Sequence, residues 1–221
     1  MRVYVTGTDT DVGKTRVCGS LASARRSAGF TPTIVKLAQT GLGPGEPGDA
    51  QLAAEFAGCA ALEFARFPLA ADPWTAARAA NAAPLEARDL AAWLRTLDGD
   101  LIVEGSGGAA VPLNERESLS DVAALAGLDA LVVVGLRLGC ISHALLTAEY
   151  LRRRSIRVLG AVLVERWEPV DADYRDQVRA ALAPSLPVVA TLPYERSPSA
   201  ALLSEPFAAV ANAQGELEWS G

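Results

Sequence analysis

Gly7-Thr8-Asp9-Thr10-Asp11-Val12-Gly13-Lys14-Thr15 decides the reading of this chain of 221 residues. It follows a short apolar run, Arg2-Val3-Tyr4-Val5-Thr6, and leads into an apolar-periodic segment over residues 14–28. The order is strand, glycine-rich loop, helix, which is the setting a phosphate-binding loop requires. Backbone N–H groups from Asp11, Val12 and Gly13 through Lys14, Thr15 and Arg16 can point at phosphate oxygens, and glycine allows the close approach. Lys14 brings positive charge to the β- and γ-phosphates, and the Thr15 hydroxyl can ligate Mg2+. The spacing is a variant: the common pattern puts glycine five residues before Gly13, where this chain has Thr8, with Gly7 one place earlier.

Outward from this loop, Gly29 stops the helix, Thr33-Ile34-Val35-Lys36 reads as a second strand, and residues 38–48 read as a loop. Asp49 opens another helix. The alanine-rich stretch over residues 50–97 reads as helical, broken at Pro68, Pro73 and Pro84. Leu101-Ile102-Val103-Glu104 reads as a buried strand that ends in a carboxylate before Gly105-Ser106-Gly107-Gly108. Further β-branched runs at 130–134, 158–164 and 188–190 alternate with helical patterns at 142–154 and 171–182. This alternation predicts an α/β fold: a doubly wound, mostly parallel sheet with helices on both faces, of the P-loop NTPase kind, in one domain over residues 1–221. Ligands of such sheets collect at the carboxyl ends of strands, where this reading puts Lys36, Glu104 and the loop after Val5.

An Mg2+ ion held by one hydroxyl is under-coordinated and usually takes one or two carboxylates as well. Glu104 and Asp49 are the candidates. Asp49 has two readings from its position alone, a helix-start carboxylate favoured by the dipole or a metal ligand. Glu104 closes an apolar run, where a carboxylate is costly to bury without a cation or donors.

Composition narrows the partners. A net charge of −6 and a pI near 4.9 repel both a phosphodiester backbone and an anionic membrane surface, so neither nucleic acid nor membrane is expected. No signal-like segment opens the chain, and the run around Ala130 is too short to span a bilayer. Cys18, Cys59 and Cys140 have no metal-ligand spacing and read as reduced thiols, which together predicts a cytoplasmic protein. His143, the sole histidine, is expected to pack or hydrogen-bond, since nothing pairs it with a nucleophile. Trp74, Trp93, Trp167 and Trp219 show no stacking array and are expected to pack.

Three blocks together resemble the dethiobiotin synthetase family: the loop from Gly7 to Thr15 with its offset, Val103-Glu104-Gly105-Ser106-Gly107-Gly108, and Val133-Val134-Gly135-Leu136-Arg137-Leu138-Gly139-Cys140-Ile141-Ser142-His143. The resemblance implies ATP- and Mg2+-dependent conversion of 7,8-diaminononanoate and CO2 to dethiobiotin, ADP and phosphate, with no covalent enzyme intermediate. It implies Lys14 and Lys36 at the transferred phosphoryl, with Thr15, Asp49 and Glu104 around the metal. Gly105, Ser106 and Gly107 belong to the nucleotide side, and Thr40 hydrogen-bonds the carbamate. Gly139, Cys140, Ile141 and Ser142, assisted by Tyr174, hold the substrate carboxylate across a homodimer interface, in line with the affinity of anions for helix N-termini. Glu165 stands where many members have an asparagine that reads the adenine edge, and Pro193 aligns with a base-flanking segment. A carboxylate accepts but cannot donate, so this departure bears on which nucleoside triphosphate is taken. Leu37 replaces a common proline, and Ser142 replaces the usual asparagine. A P-loop switch ATPase of the partitioning type is the rival reading. Such proteins carry a signature lysine early in the loop, and Thr8-Asp9-Thr10-Asp11 has none.

Overall fold

The computed structural model describes residues 1–195 and 205–207. Trp219 lies outside the described residues. Seven strands run in chain order: β1 (Arg2–Gly7), β2 (Pro32–Thr40), β3 (Ala60–Phe67), β4 (Asp100–Gly108), β5 (Asp129–Gly135), β6 (Val158–Val164) and β7 (Val188–Leu192). Among the described residues they form one sheet in the order β3-β2-β4-β1-β5-β6-β7, and every neighbouring pair is parallel. The central strand β1 alternates its side chains, with Val3 and Val5 in one core and Tyr4 in the other, as a pleated strand covered on both faces must.

Among the described residues, seven α-helices cover the two faces: α1 (Lys14–Ser27), α2 (Asp49–Ala57), α3 (Pro73–Ala79), α4 (Ala87–Thr96), α5 (Leu119–Ala126), α6 (Cys140–Arg152) and α7 (Ala172–Leu182). Val17 and Leu21 of α1 and Ala50 and Ala53 of α2 close over Val3, Val5 and Ile34. On the other face Leu94, Val122, Ala148 and Leu182, from α4 to α7, pack with Tyr4, Val35 and Val132. The doubly wound α/β fold expected from the sequence is therefore the fold observed. No helix of the described residues is long and apolar enough to cross a membrane.

Three expectations are corrected. The alanine-rich middle is not helical throughout, because residues 60–67 form the edge strand β3, paired in register with β2 from Thr33↔Ala60 to Thr40↔Phe67. Ladder hydrogen bonds to β2 and a Phe64–Trp93 edge contact with ring centroids 5.2 Å apart outweigh alanine's helix preference. Strand β2 also continues through residues 38–40, which the sequence assigned to a loop. Neither Lys36 nor Glu104 ends its strand: β2 runs on to Thr40 and β4 to Gly108. The helix α5 had no counterpart in the sequence reading; Asp121 accepts from the Ser118 N–H at 2.6 Å at its start.

Candidate active site

Gly13 stands at the N-cap of α1 with φ near 101°, a left-handed conformation that favours glycine. A Cβ there would also come within 3.0 Å of Val164 Cγ1. This turn sends the chain from β1 into α1, with Val12 buried beneath the loop and the start of α1 facing a cavity of about 680 Å³. Asp11, Gly13, Lys14, Thr15 and Arg16 line that cavity from the loop side. Lys36, Thr40, Asp49, Glu104, Ser106 and Gly107 line it from β2, α2 and β4. The space is of the size that takes a small-molecule ligand.

The centre is a charge cluster. Lys36 Nζ donates to Asp49 Oδ2 at 2.6 Å, to Glu104 Oε1 at 2.9 Å and to the Gly105 carbonyl at 3.2 Å. The register of β2 on β4 makes this possible by putting Lys36 directly beside Glu104. Thr15 Oγ1 donates to the same Glu104 Oε1 at 3.0 Å, so α1, β2, β4 and α2 all meet there. Glu104 is 1% exposed and Asp49 35% exposed, so one carboxylate lies on the floor and the other at the rim. The Asp49 N–H donates to Gln39 Oε1 at 2.9 Å, which ties the start of α2 to β2.

Electrostatics separate the two lysines. Burial works against the ammonium of Lys36, but Glu104 and Asp49 outweigh it and hold its pKa above the usual lysine value. For Lys14, burial and the nearby Lys36 charge push the pKa down, only partly opposed by Glu104 and Asp49. Lys14 Nζ donates to the Asp9 carbonyl at 3.1 Å, and among the described residues no carboxylate forms an ion pair with it.

The residues also test the fit of Mg2+. The donors that meet are a hydroxyl and two carboxylates, all oxygen, the set a hard cation takes alongside phosphate. Among the described residues, Glu104 Oε2 is buried with no hydrogen-bond partner, an open acceptor. Thr15, Asp49 and Glu104 fit the ion.

Other sequence-derived candidates lie apart from this cluster. Gly139, Cys140, Ile141 and Ser142 start α6, with Gly139 and Ser142 exposed, and Cys140 Sγ lies 3.8 Å from Tyr174 Oη. They form a second group that does not line the cavity. Glu165, at the end of β6, is 5% exposed and turned inward: Oε1 accepts from Arg175 at 2.8 Å, and Oε2 accepts the N–H groups of Val170 at 3.3 Å and Tyr194 at 3.1 Å. The Pro193 carbonyl accepts from Arg16 at 2.6 Å. His143 is exposed on the first turn of α6 rather than packed. Gln39, Arg166 and Glu195 line the cavity and were missed. Arg166 directly follows Glu165 at the carboxyl end of a strand, where the general rule for such sheets finds ligand-binding residues.

Fold and cavity together define a P-loop nucleotide-binding protein, and a family profile described as an AAA domain matches residues 1–201. The ATP-dependent dethiobiotin synthetase BioD of Streptomyces coelicolor is 42% identical over 166 residues, covering 73% of this chain and 70% of that protein. The protein of the same name from Anaeromyxobacter sp. (strain K) is 42% identical over 170 residues, covering 73% and 75%. The chain belongs to the dethiobiotin synthetase family. The cell division ATPase MinD of Pyrococcus furiosus superposes with a TM-score of 0.57 over 95% of this chain and 99% of its own, at 17% identity. That likeness is one of fold alone.

Proposed function

We propose that this enzyme makes dethiobiotin in biotin biosynthesis, from 7,8-diaminononanoate, CO2 and ATP, with Lys36 as the residue on which phosphoryl transfer turns. One substrate amine adds to CO2 and loses a proton, giving a carbamate. A carbamate oxygen attacks the γ-phosphorus and ADP leaves. The second amine then attacks the carbonyl carbon of the mixed anhydride, phosphate leaves and the ureido ring closes.

The observation that carries this reading is the ion triad of Lys36, Asp49 and Glu104, in the same cavity as Lys14 and Thr15. Such a site needs no nucleophile. It positions the carbamate and triphosphate and neutralises charge as it moves, which suits transfer through a loose phosphoryl group. Lys14 sits against the β- and γ-phosphates, Lys36 against the phosphoryl in flight, and Thr40 donates its hydroxyl to the carbamate. When bound, Mg2+ draws charge from the phosphate oxygens, with Thr15, Asp49 and Glu104 as its protein ligands. The start of α6 at Gly139, Cys140, Ile141 and Ser142 takes the carboxylate of the substrate bound in a second subunit, with Tyr174 beside it, although the Cys140 N–H itself donates to the Arg137 carbonyl at 3.0 Å. The homodimer this requires is supported by Leu138, 94% exposed just before that helix start, and by Leu146, 66% exposed in the middle of α6.

The test is turnover. Given diaminononanoate, bicarbonate, Mg2+ and ATP, the protein should produce dethiobiotin detectable by mass spectrometry. ATP hydrolysis with no ring product would remove the reading.

A further inference from the structure

Residues 41–48 join β2 to α2, carrying the chain from Thr40 to Asp49. The edge strand β3 and the turn after it hold this loop at several points. At its start, the Gly41 N–H donates to the carbonyls of Phe67 and Leu69, both at 3.1 Å. In its middle, Arg66 Nη1 donates to the Gly43 carbonyl at 3.0 Å and the Glu46 carbonyl at 2.6 Å. The guanidinium is itself fixed by a two-point pairing with Glu63, Nε to Oε1 at 2.7 Å and Nη2 to Oε2 at 2.9 Å. At its end, Gly48 is pressed under this pair: a Cβ there would lie 2.8 Å from Arg66 Nη2, 2.8 Å from Glu63 Oε2 and 3.1 Å from Gln39 Oε1. The next N–H, that of Asp49, is the one Gln39 accepts.

We propose that Arg66 is a positioning residue for Asp49: gripping the loop's carbonyls from β3, it fixes where the first residue of α2 enters the active site. Arg66 is not among the residues lining the cavity, so it acts through the backbone. The planar guanidinium suits the task, because its fixed fork reaches two loop carbonyls on one side while pairing both oxygens of Glu63 on the other. Lysine, a point charge, cannot reproduce that geometry. The role also accounts for an edge strand built from alanine-rich sequence, since β3 carries both Glu63 and Arg66.

The inference rests on the reading of Asp49 as a metal-side carboxylate, so its test has two arms. Amide hydrogen exchange is measured over residues 41–49 of the nucleotide-free chain, and the Mg2+ midpoint for ADP binding is measured by calorimetry. Arg66→Ala and Arg66→Lys should both speed exchange in this segment, the alanine variant by about tenfold or more, as expected for lost charge-assisted hydrogen bonds. Both should raise the Mg2+ midpoint while leaving metal-free ADP affinity unchanged. Gly48→Ala, which crowds the same pair without removing a charge, should do likewise, and it covers the case in which Arg66→Ala fails to fold. Asp49→Asn is the control. If it leaves the midpoint unmoved, the metal reading of Asp49 fails. If it moves the midpoint while the Arg66 and Gly48 variants do not, the positioning role of Arg66 is overturned.

Discussion

On the β1 side, the groups lining the cavity, Thr10, Asp11, Gly13, Lys14, Thr15 and Arg16, come from one contiguous stretch, and the phosphate contacts proposed for it are mostly backbone. On the β2 side, the acidic and basic groups come from three separate elements, Lys36 from β2, Asp49 from α2 and Glu104 from β4, and the Thr15 hydroxyl reaches Glu104 from α1. The first half is set by local turn geometry, above all the left-handed Gly13. The second half is set by sheet register, which puts Lys36 beside Glu104. Local chemistry makes a phosphate cradle that many proteins of this fold can share. In the proposed reaction, the register-built half is where the carbamate meets the phosphoryl group.

That division predicts how the halves break. Lys36→Ala should cost the most, about a hundred- to a thousandfold in kcat, the scale for removing a preorganised charge at a transition state. Nucleotide affinity should stay within a few-fold. Unchanged ADP release in a coupled assay would take Lys36 out of the chemistry.

Glu165→Asn tests a region outside both halves. Its carboxylate joins Arg175 to two backbone N–H groups from separate loops, so the substitution should lower stability by about 1–3 kcal/mol in urea unfolding. Triphosphate selectivity should not change. A marked shift toward ATP would instead mean that this side chain meets the base. On the phosphate side, Gly13→Ala adds a left-handed penalty of about 1–2 kcal/mol and pushes against Val164, and it should weaken nucleotide binding about tenfold without altering the ring product.

The smallest effect expected is one of pH. Lys36 has a folded pKa above its unfolded value, so its stabilisation is complete below the ordinary 10.5 and is lost only as pH rises through the higher folded value. Lys14 is shifted the other way, so holding its charge in the fold costs stability at neutral pH and the charge is lost before pH reaches 10.5. Nucleotide affinity should therefore decline on the way from neutral pH toward 10.5 before the Lys36 contribution to thermal stability fades. Simultaneous decline of both would contradict the separation of the two lysines.

The same division governs what could be read in the sequence. The phosphate loop, α1 and the parallel α/β plan were legible because each follows from a short stretch and its periodicity. Glu104 and Asp49 could be nominated from position and chemistry, but their meeting on one ammonium could not, since register is not a local property. Lys36 and Glu104 read as strand ends in the sequence, yet both strands continue, to Thr40 and Gly108. The strand β3 was hidden by alanine, and with it Arg66, whose role exists only through loop carbonyls. The inward turn of Glu165 was equally hidden, since Arg175 reaches it from α7.

A crystal structure with Mg2+ and a non-hydrolysable ATP analogue tests the central claim most directly. The expected result has one Mg2+ ion on Thr15, Asp49 and Glu104, and Lys36 Nζ within hydrogen-bonding distance of the γ-phosphate. A triphosphate seated on Lys14 with its γ-phosphate turned away from Lys36, or an ion bound elsewhere, would contradict it.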